Sequence, residues 1–241
     1  MGFVHDVSNL ALRGTLAAFA DYAVEGRGSV PAEGPLMVVV NHQSNADPPI
    51  VAASLRRGAR FLAKYEIFSV ATPLGRWLLR SYGVYPLRRG RADIAAYRWA
   101  VQQLERPRGT LVLFPEGTRN LGGMGRAEPG VAQLAARTGV PMLPIGITGT
   151  ERLGTVARVF NPTGRIRVRI GEPFRLVSAP GRGDLEAVTS EIMGRVARLL
   201  PAAYRGAYAE AAEQPYRHTI ALEETAEERP SVSPRRRMEE R

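Results

Sequence analysis

Apolar residues occur along this chain in two alternating patterns, short continuous runs and helical stripes. The runs at 36–40 and 110–113 are rich in β-branched residues and are typical of buried strands. Stripes in which apolar residues recur every three or four positions predict helices between the strands. Strands that alternate with helices predict an α/β fold with a mostly parallel central sheet, covered by helices on both faces.

The same patterns place the individual elements. Predicted helices cover residues 6–24, 48–57, 67–79, 91–105, 129–137 and 185–199. Predicted strands cover residues 36–40, 61–63, 110–114, 141–148 and 165–170. The last strand alternates arginine with isoleucine or valine, which indicates a half-exposed strand at the edge of the sheet.

Composition divides the chain into three parts. Residues 1–30 are predicted to form an N-terminal amphipathic helix and a linker, and residues 31–212 the α/β domain. Residues 213–241 lose the apolar periodicity and are rich in glutamate and arginine, so they are predicted to be a disordered, charged tail.

Two polar segments follow predicted strands directly. Residues 41–48 (NHQSNADP) come after the first strand, and residues 114–120 (FPEGTRN) come after strand 110–113. Ligands of open α/β sheets bind at this edge, where the strands end. His42 precedes the carboxylate of Asp47 by five residues, so the pair could act as a base and its orienting partner. Asp47 could also simply cap the helix that Pro48 opens, and the two roles are compatible.

At these residues the chain resembles the glycerolipid acyltransferases, a group that includes 1-acylglycerol-3-phosphate acyltransferase. His42 and Asp47 match the family's first motif, His-x4-Asp, and residues 83–89 match its second, a glycine followed six residues later by arginine. Residues 114–119 reproduce the third motif, and residues 140–145 look like the fourth. The four motifs stand in the family's order within residues 36–150. The resemblance implies an α/β enzyme that moves a fatty acyl group from acyl-CoA or acyl-carrier protein to the hydroxyl of lysophosphatidic acid, giving phosphatidic acid.

The resemblance also implies roles for particular residues. His42 would be the general base and Asp47 its partner, with direct transfer and no covalent acyl-enzyme. The residues implied for substrate binding are Arg89, Glu116, Gly117, Thr118 and Arg119. The two arginines would hold the acceptor phosphate, and Glu116 would position one of them or the glycerol hydroxyl. The absence of cysteine excludes a cysteine acyl-enzyme, and the three histidines are too scattered to suggest a metal site, so no metal or cofactor is expected.

Charge and hydropathy indicate where such an enzyme would work. The net charge is +10, and Lys64 is the only lysine among 33 basic residues. A basic domain suits an anionic membrane surface, a phosphate substrate or an acidic carrier protein. We find neither a signal peptide nor an apolar run of about 18 residues, so the protein is expected to be peripheral, at the cytoplasmic face of the membrane. The helical stripe of Leu12, Leu16, Phe19 and Ala23 is the predicted interfacial anchor, with packing on the domain core as the alternative.

Two other interpretations remain open from the sequence. The first is an enzyme of the same fold with another acceptor, such as glycerol 3-phosphate, an amino-acid lipid or a glycolipid. The second, less favoured, is a basic nucleic-acid-binding protein, although the chain carries no recognised nucleic-acid module, and no nucleic-acid partner is expected.

Overall fold

A computed structural model describes residues 3–55, 57–88 and 93–222. The helices are α1 (Phe3–Phe19), α2 (Asp47–Leu55), α3 (Tyr65–Val70), α4 (Pro73–Ser81), α5 (Ile94–Leu104), α6 (Gly130–Thr138) and α7 (Leu185–Arg198). The strands are β1 (Asp21–Glu25), β2 (Leu36–Val40), β3 (Arg60–Lys64), β4 (Val84–Leu87), β5 (Thr110–Leu113), β6 (Met142–Thr148), β7 (Arg165–Ile170), β8 (Phe174–Leu176) and β9 (Thr219–Ala221).

The strands form one mixed sheet. Its main path has the order β1-β7-β6-β2-β5-β3-β4, and β8 pairs with both β6 and β9. The stretch from β6 to β4 is parallel throughout, whereas β7 and β8 run antiparallel to β6. All five residues of the central strand β2 are buried. The prediction of a mostly parallel sheet is confirmed.

Side chains of β2 alternate between two hydrophobic layers. Met37 and Val39 belong to a cluster with apolar residues of α5, α6 and α7, whereas Leu36, Val38 and Val40 belong to a cluster with α1 and α2. This alternation follows from the two-residue period of a strand. Helices therefore cover both faces of the sheet, as predicted.

The N-terminal segment differs from the prediction. The helix ends at Phe19, and the chain continues as β1, which pairs in parallel with β7. Leu12 and Leu16 are buried in the core, Phe19 is exposed, and Ala23 lies on the strand. Residues 1–30 are thus not a separate helix and linker, because β1 is part of the sheet and α1 packs on it. The prediction that this stripe is an interfacial anchor is wrong. The alternative, that it packs on the domain core, is confirmed.

The pairing of β1 also corrects the prediction that strand 165–170 lies at an edge. β7 has β6 on one side and β1 on the other. Its three arginines pair with acidic residues of β1: Arg165 and the half-buried Arg167 bind Asp21, and Arg169 binds Glu25. The alternating arginines therefore mark a face that a neighbouring acidic strand complements.

The predicted helix 67–79 is two helices. Ala71 and Thr72 have extended backbones, and Thr72 accepts a hydrogen bond from the Gly75 N–H as the N-cap of α4. A residue that precedes proline is disfavoured in the helical region, so Pro73 fixes the break.

The predicted disordered tail begins too early. Residues 213–222 are ordered, with Thr219 buried in β9. The Glu191 carboxylate accepts hydrogen bonds from the N–H groups of Arg217 and His218 and from the Thr219 hydroxyl. Polar contacts rather than apolar periodicity hold this segment. The rest of the tail, 223–241, lies outside the described residues.

The burial of α1 leads to a test of stability. Leu16→Ala is expected to lower the free energy of unfolding by about 2 to 5 kcal/mol, because it opens a cavity in the core. Leu10→Ala on the same helix removes a side chain that is 69% exposed. It is expected to change stability by no more than about 0.5 kcal/mol. Urea unfolding followed by circular dichroism measures both, and equal midpoints would mean that α1 is not part of the core.

Candidate active site

The two motif-bearing loops meet at one edge of the sheet. β2 and β5 are parallel neighbours, with Val39 in register with Leu113. Their carboxyl ends therefore lie side by side, and the segments 41–48 and 114–120 leave the sheet next to each other. The backbone confirms this contact, since the Asn120 N–H donates to the His42 carbonyl at 2.9 Å.

His42 and Asp47 form a direct hydrogen bond. The His42 Nδ1 lies 2.8 Å from Asp47 Oδ2. The same Oδ2 accepts hydrogen bonds from the backbone N–H groups of Gln43 (2.7 Å) and Ser44 (2.8 Å). Asp47 is fully buried, whereas the His42 side chain keeps 14% of its surface exposed. The carboxylate is therefore fixed by the loop, and the imidazole reaches solvent.

The helix-capping alternative for Asp47 fits this geometry only in part. Asp47 begins α2, but Pro48 and Pro49, which follow it, have no N–H to donate. Its second oxygen, Oδ1, is buried and has no hydrogen-bond partner among the described residues. The hydrogen bonds of Asp47 thus hold His42 and the loop before the helix.

The His42 ring is also confined by an aromatic neighbour. Phe114, the first residue after β5, places its ring centroid 4.5 Å from that of His42 at an interplanar angle of 36°. Since Asp47 binds Nδ1, the neutral ring that donates there keeps the lone pair of Nε2 for another partner. Such a nitrogen can accept a proton from a bound hydroxyl.

Glu116 holds the backbone of His42. Its Oε1 accepts the His42 N–H at 2.8 Å, and its Oε2 accepts from Asn120 Nδ2 (2.5 Å) and from the Gly125 N–H (2.7 Å). Burial raises the pKa of Glu116 above the ordinary glutamate value, against the opposing effect of these donors. Both oxygens are occupied by protein donors. The structure therefore places Glu116 as a positioning residue behind His42, in contrast to the prediction that it positions an arginine or the substrate hydroxyl.

The remaining residues of the third motif lie on the outer side of this loop. Gly117 closes a turn by donating to the Phe114 carbonyl at 3.0 Å, with a φ of 64° that favours glycine. Thr118 and Arg119 are exposed. Arg119 directly precedes Asn120, whose N–H binds the His42 carbonyl, so a cation lies next to the histidine loop.

The second motif is described only in part. Its glycine, Gly83, has a φ of 91° and leads into β4. Arg88 is exposed and lies over the Tyr65 ring at 4.7 Å. Arg89, the predicted phosphate ligand, lies outside the described residues.

Two asparagines and a glycine support the site in ways that sequence reasoning missed. The Asn41 side chain donates to the Ile147 carbonyl and accepts the Ile147 N–H, so it fastens the end of β2 to β6. Asn120 and Gly125 complete the shell around Glu116. A Cβ at Gly125 would come within 2.5 Å of Asn120 Nδ2, so a larger residue would displace the Asn120 side chain from Glu116. Asn41 directly precedes His42, and Asn120 directly follows Arg119. This adjacency to motif residues was the signal by which the sequence could have indicated their supporting roles.

Glu116 provides a sharp test of this arrangement. In Glu116→Gln the amide NH2 must face either the His42 N–H or the pair of donors at Oε2, so a donor loses its acceptor. We expect stability to fall by about 1 to 3 kcal/mol. The kcat of a reaction in which His42 acts as the base should also fall, with little change in KM, because His42 shifts. Glu128→Gln, on an exposed carboxylate of the same loop, is the matched control. Equal stability and kcat in the two variants would contradict the positioning role.

The raised pKa of Glu116 gives a second readout. Because the folded state holds this proton more tightly than the unfolded state, Glu116 makes stability decline as pH rises from the ordinary glutamate pKa through the raised one. The difference in unfolding free energy between wild type and Glu116→Gln should therefore depend on pH in this range and level off above it. A difference that is constant across the range would contradict the raised pKa.

Comparisons with known proteins bear on the same residues. A family model described as Acyltransferase matches residues 21–148, which include the first and third motifs. The chain is 30% identical over 177 residues to the chloroplastic 1-acyl-sn-glycerol-3-phosphate acyltransferase LPAT1 of Arabidopsis thaliana, covering 71% of this chain and 49% of that one. It is 33% identical over 135 residues to the lyso-ornithine lipid O-acyltransferase of Pseudomonas aeruginosa, covering 55% of this chain and 50% of the relative. The chain thus spans about half the length of these curated relatives.

A solved structure extends the comparison to the fold. The 1-acyl-sn-glycerophosphate (LPA) acyltransferase PlsC of Thermotoga maritima superposes with a TM-score of 0.61 at 28% identity. The match covers 80% of this chain and 77% of that one. The sheet and its covering helices, and not only the motifs, are therefore shared with that protein.

Proposed function

Because this chain belongs to the Acyltransferase family, we propose that it moves a fatty acyl group from a thioester donor to the hydroxyl of lysophosphatidic acid. The observation that carries the proposal is the His42–Asp47 pair, fixed at the carboxyl edge of the sheet beside a loop that presents Arg119. The named relatives that act on 1-acyl-sn-glycerol 3-phosphate support this acceptor.

The proposed chemistry is direct transfer. His42 Nε2 takes the proton of the acceptor hydroxyl as its oxygen attacks the thioester carbonyl carbon. The Asp47 carboxylate stabilises the imidazolium that forms, as aspartate does in serine-hydrolase triads. When the tetrahedral intermediate collapses, the carbon–sulfur bond breaks and the thiolate takes the proton back from His42. An ester and a free thiol result, and the chemistry requires no metal or organic cofactor.

The acceptor phosphate would be held on the outer side of the third motif. Arg119 supplies a guanidinium that can form two parallel hydrogen bonds to phosphate oxygens. Thr118 and the turn at Gly117 offer further donors on the same loop, and Arg89 is the proposed second cation. Binding of the phosphate next to His42 would place the free hydroxyl of a lysophospholipid near the base.

Arg119→Ala should chiefly weaken acceptor binding. The lost charge-assisted contact is worth about 1.5 to 3 kcal/mol, which corresponds to a rise in acceptor KM of roughly 10- to 150-fold. Arg119→Lys should rescue this only in part, because an ammonium lacks the planar fork. Arg137→Ala, on the exposed side of α6, is the control. An acceptor KM that stays unchanged in Arg119→Ala would remove Arg119 from the phosphate site.

The experiment that tests the function is an acceptor screen. Purified protein is incubated with acyl-CoA or acyl-carrier protein and with lysophosphatidic acid, glycerol 3-phosphate or lyso-ornithine lipid, and the lipid products are identified by mass spectrometry. Phosphatidic acid as the main product supports the proposal. Lyso-ornithine lipid is included because one relative carries that acceptor in its name, and preferential acylation of it would establish this second candidate instead. Salt-dependent retention on heparin without thioester consumption would favour the nucleic-acid interpretation.

A lipid acceptor implies work at a membrane surface. Among residues 3–55, 57–88 and 93–222, no helix is long and apolar enough to cross a bilayer. We propose that the protein works on an anionic membrane, which it approaches from the cytoplasmic side. Its basic charge favours this approach.

A further inference from the structure

The connection between the edge strands β3 and β4 carries an unusual concentration of exposed apolar side chains. Of the 13 large apolar side chains exposed in the described part of the chain, six lie within residues 65–78. They are Tyr65, Ile67, Val70, Leu74, Trp77 and Leu78, and together they define the α3–α4 surface.

Helix α4 turns its apolar side outward. Leu74, Trp77 and Leu78 are spaced by three and four residues, so they share one face of the helix, and they are 65%, 55% and 44% exposed. No described residue of α4 is buried. A surface helix normally buries its apolar stripe against the core. An exposed apolar stripe marks a surface for contact with a partner outside the fold.

The charges around the apolar side chains are mostly positive. Residues 64–88 contain four basic residues and one acid, Glu66. All four cations, Lys64, Arg76, Arg80 and Arg88, are exposed. Arg76 and Arg80 are one helical turn apart, and Arg80 adjoins Trp77 around the helix. A tryptophan and leucines flanked by arginines match the boundary between the acyl chains and the anionic headgroups of a bilayer.

The α3–α4 surface begins at the catalytic edge. Tyr65 follows Lys64 at the carboxyl end of β3, which is parallel to β5 and, through it, to β2. The loop with His42 leaves the same edge two strands away, about 10 Å at the usual strand spacing. A lipid whose acyl chains remain in a bilayer against α3 could therefore present its headgroup to this edge.

We propose that the α3–α4 surface is the face by which the protein lies on an anionic lipid bilayer. Leu74, Trp77 and Leu78 enter the boundary between headgroups and acyl chains, and the arginines contact lipid phosphates. This inference rests on the proposed function in one respect: the lipid acceptor is the reason why the protein would need to meet a bilayer. It gives the membrane role to a surface that the core leaves uncovered, in place of the stripe of α1.

Charge distinguishes a bilayer from a second copy of the chain. A symmetric self-contact places the same patch on both sides of the interface. Two patches that each carry four cations and one acid would repel each other, whereas anionic headgroups complement them.

The test compares two double variants of the full chain. Leu74→Ser/Trp77→Ser changes the α3–α4 surface, and Phe160→Ser/Val177→Ser changes side chains that are equally exposed elsewhere, at 73% and 60%. Each is sedimented with vesicles of phosphatidylglycerol and phosphatidylcholine and with vesicles of phosphatidylcholine alone. The first variant should bind the anionic vesicles at least about tenfold more weakly than wild type, because it removes two apolar groups that would be buried in lipid. The control should bind as wild type does, and Arg80→Gln should weaken binding to anionic vesicles only.

Fluorescence tests the contact directly. The chain has two tryptophans, and Trp99 is half-buried with its ring centroid 4.7 Å from that of Tyr85. In a Trp99→Phe background, Trp77 alone should shift its emission to shorter wavelength on anionic vesicles and be quenched by brominated acyl chains. Binding to vesicles without shift or quenching would overturn the proposal, as would equal binding by the two double variants. A wild-type dimer that Leu74→Ser/Trp77→Ser dissociates, with vesicle binding unchanged, would assign the surface to self-association and also overturn it.

Activity separates this inference from the proposed function. With short-chain lysophosphatidic acid below its micellar concentration, Leu74→Ser/Trp77→Ser should keep wild-type activity and lose it only on vesicles. If wild type acylates no lysophosphatidic acid while the vesicle results hold, the proposed function fails and the docking surface stands. If acylation occurs and the surface variant binds vesicles normally, the docking surface fails alone.

Discussion

His42→Ala is expected to lower kcat for acyl transfer by roughly 10² to 10⁴-fold, the usual contribution of a general base. The fold should persist, because the alanine keeps the backbone contacts of His42 with Glu116 and Asn120. The acceptor KM should change little, since Arg119 and its loop remain. Rates are measured with saturating thioester, and folding is checked by circular dichroism.

His5→Ala is an unsuitable control, because His5 is buried against Tyr82. His218→Ala is better matched, since that histidine lies near β9, on the far side of β6 from β2. Retention of more than about a tenth of wild-type activity in His42→Ala would end the assignment of His42 as the base.

Substitution of Asp47 is expected to lower kcat by an amount that depends on the residue that replaces it. Asp47→Ala removes the acceptor of three hydrogen bonds, from the His42 ring and from the N–H groups of Gln43 and Ser44. The ring loses its orientation and two buried donors lose their partner. We expect kcat to fall by about 10² to 10⁴-fold, with a loss of stability of about 1 to 3 kcal/mol or more.

Asp47→Asn should be milder for a reason specific to this loop. The two backbone N–H groups select the amide oxygen for the Oδ2 position, and the NH2 then occupies the Oδ1 position. His42 therefore keeps its tautomer and loses only the carboxylate charge that stabilises the imidazolium. A decrease in kcat of about 10- to 150-fold follows from the value of a charged hydrogen bond. If asparagine were as damaging as alanine, the backbone donors would not control the orientation of this side chain.

The sequence predicts the central strands and the catalytic loops because they carry strong local signals. β2 and β5 are continuous apolar runs, and His42 and Asp47 lie in one short loop between a strand and a helix whose ends are marked in sequence. The fold class follows from the alternation of these elements. It depends on no single contact.

What the sequence does not predict depends on partners that are distant along the chain. Glu116 lies 74 residues from His42, and only the parallel register of β2 and β5 brings its carboxylate to the histidine N–H. β4 contains Pro86, which argues against a strand, yet β4 pairs only with β3 among the described strands, at the sheet edge where proline is tolerated. The sequence does not predict β9, because this strand lies in a charged segment without an apolar stripe. Hydrogen bonds to Glu191 hold it instead.

The pairing of β1 with β7 also determines when the protein can finish folding. Asp21 and Arg165 are 144 residues apart, so at about 5 to 20 residues per second the ribosome needs roughly 7 to 30 s to deliver the partner of the first strand. During that interval β1 has no strand to pair with, although α1 can already pack on α2, so the unpaired strand is open to chaperones or to other chains. The pairing of β1 with β7 is a long-range step, so slow refolding and aggregation should be sensitive to substitutions along these two strands.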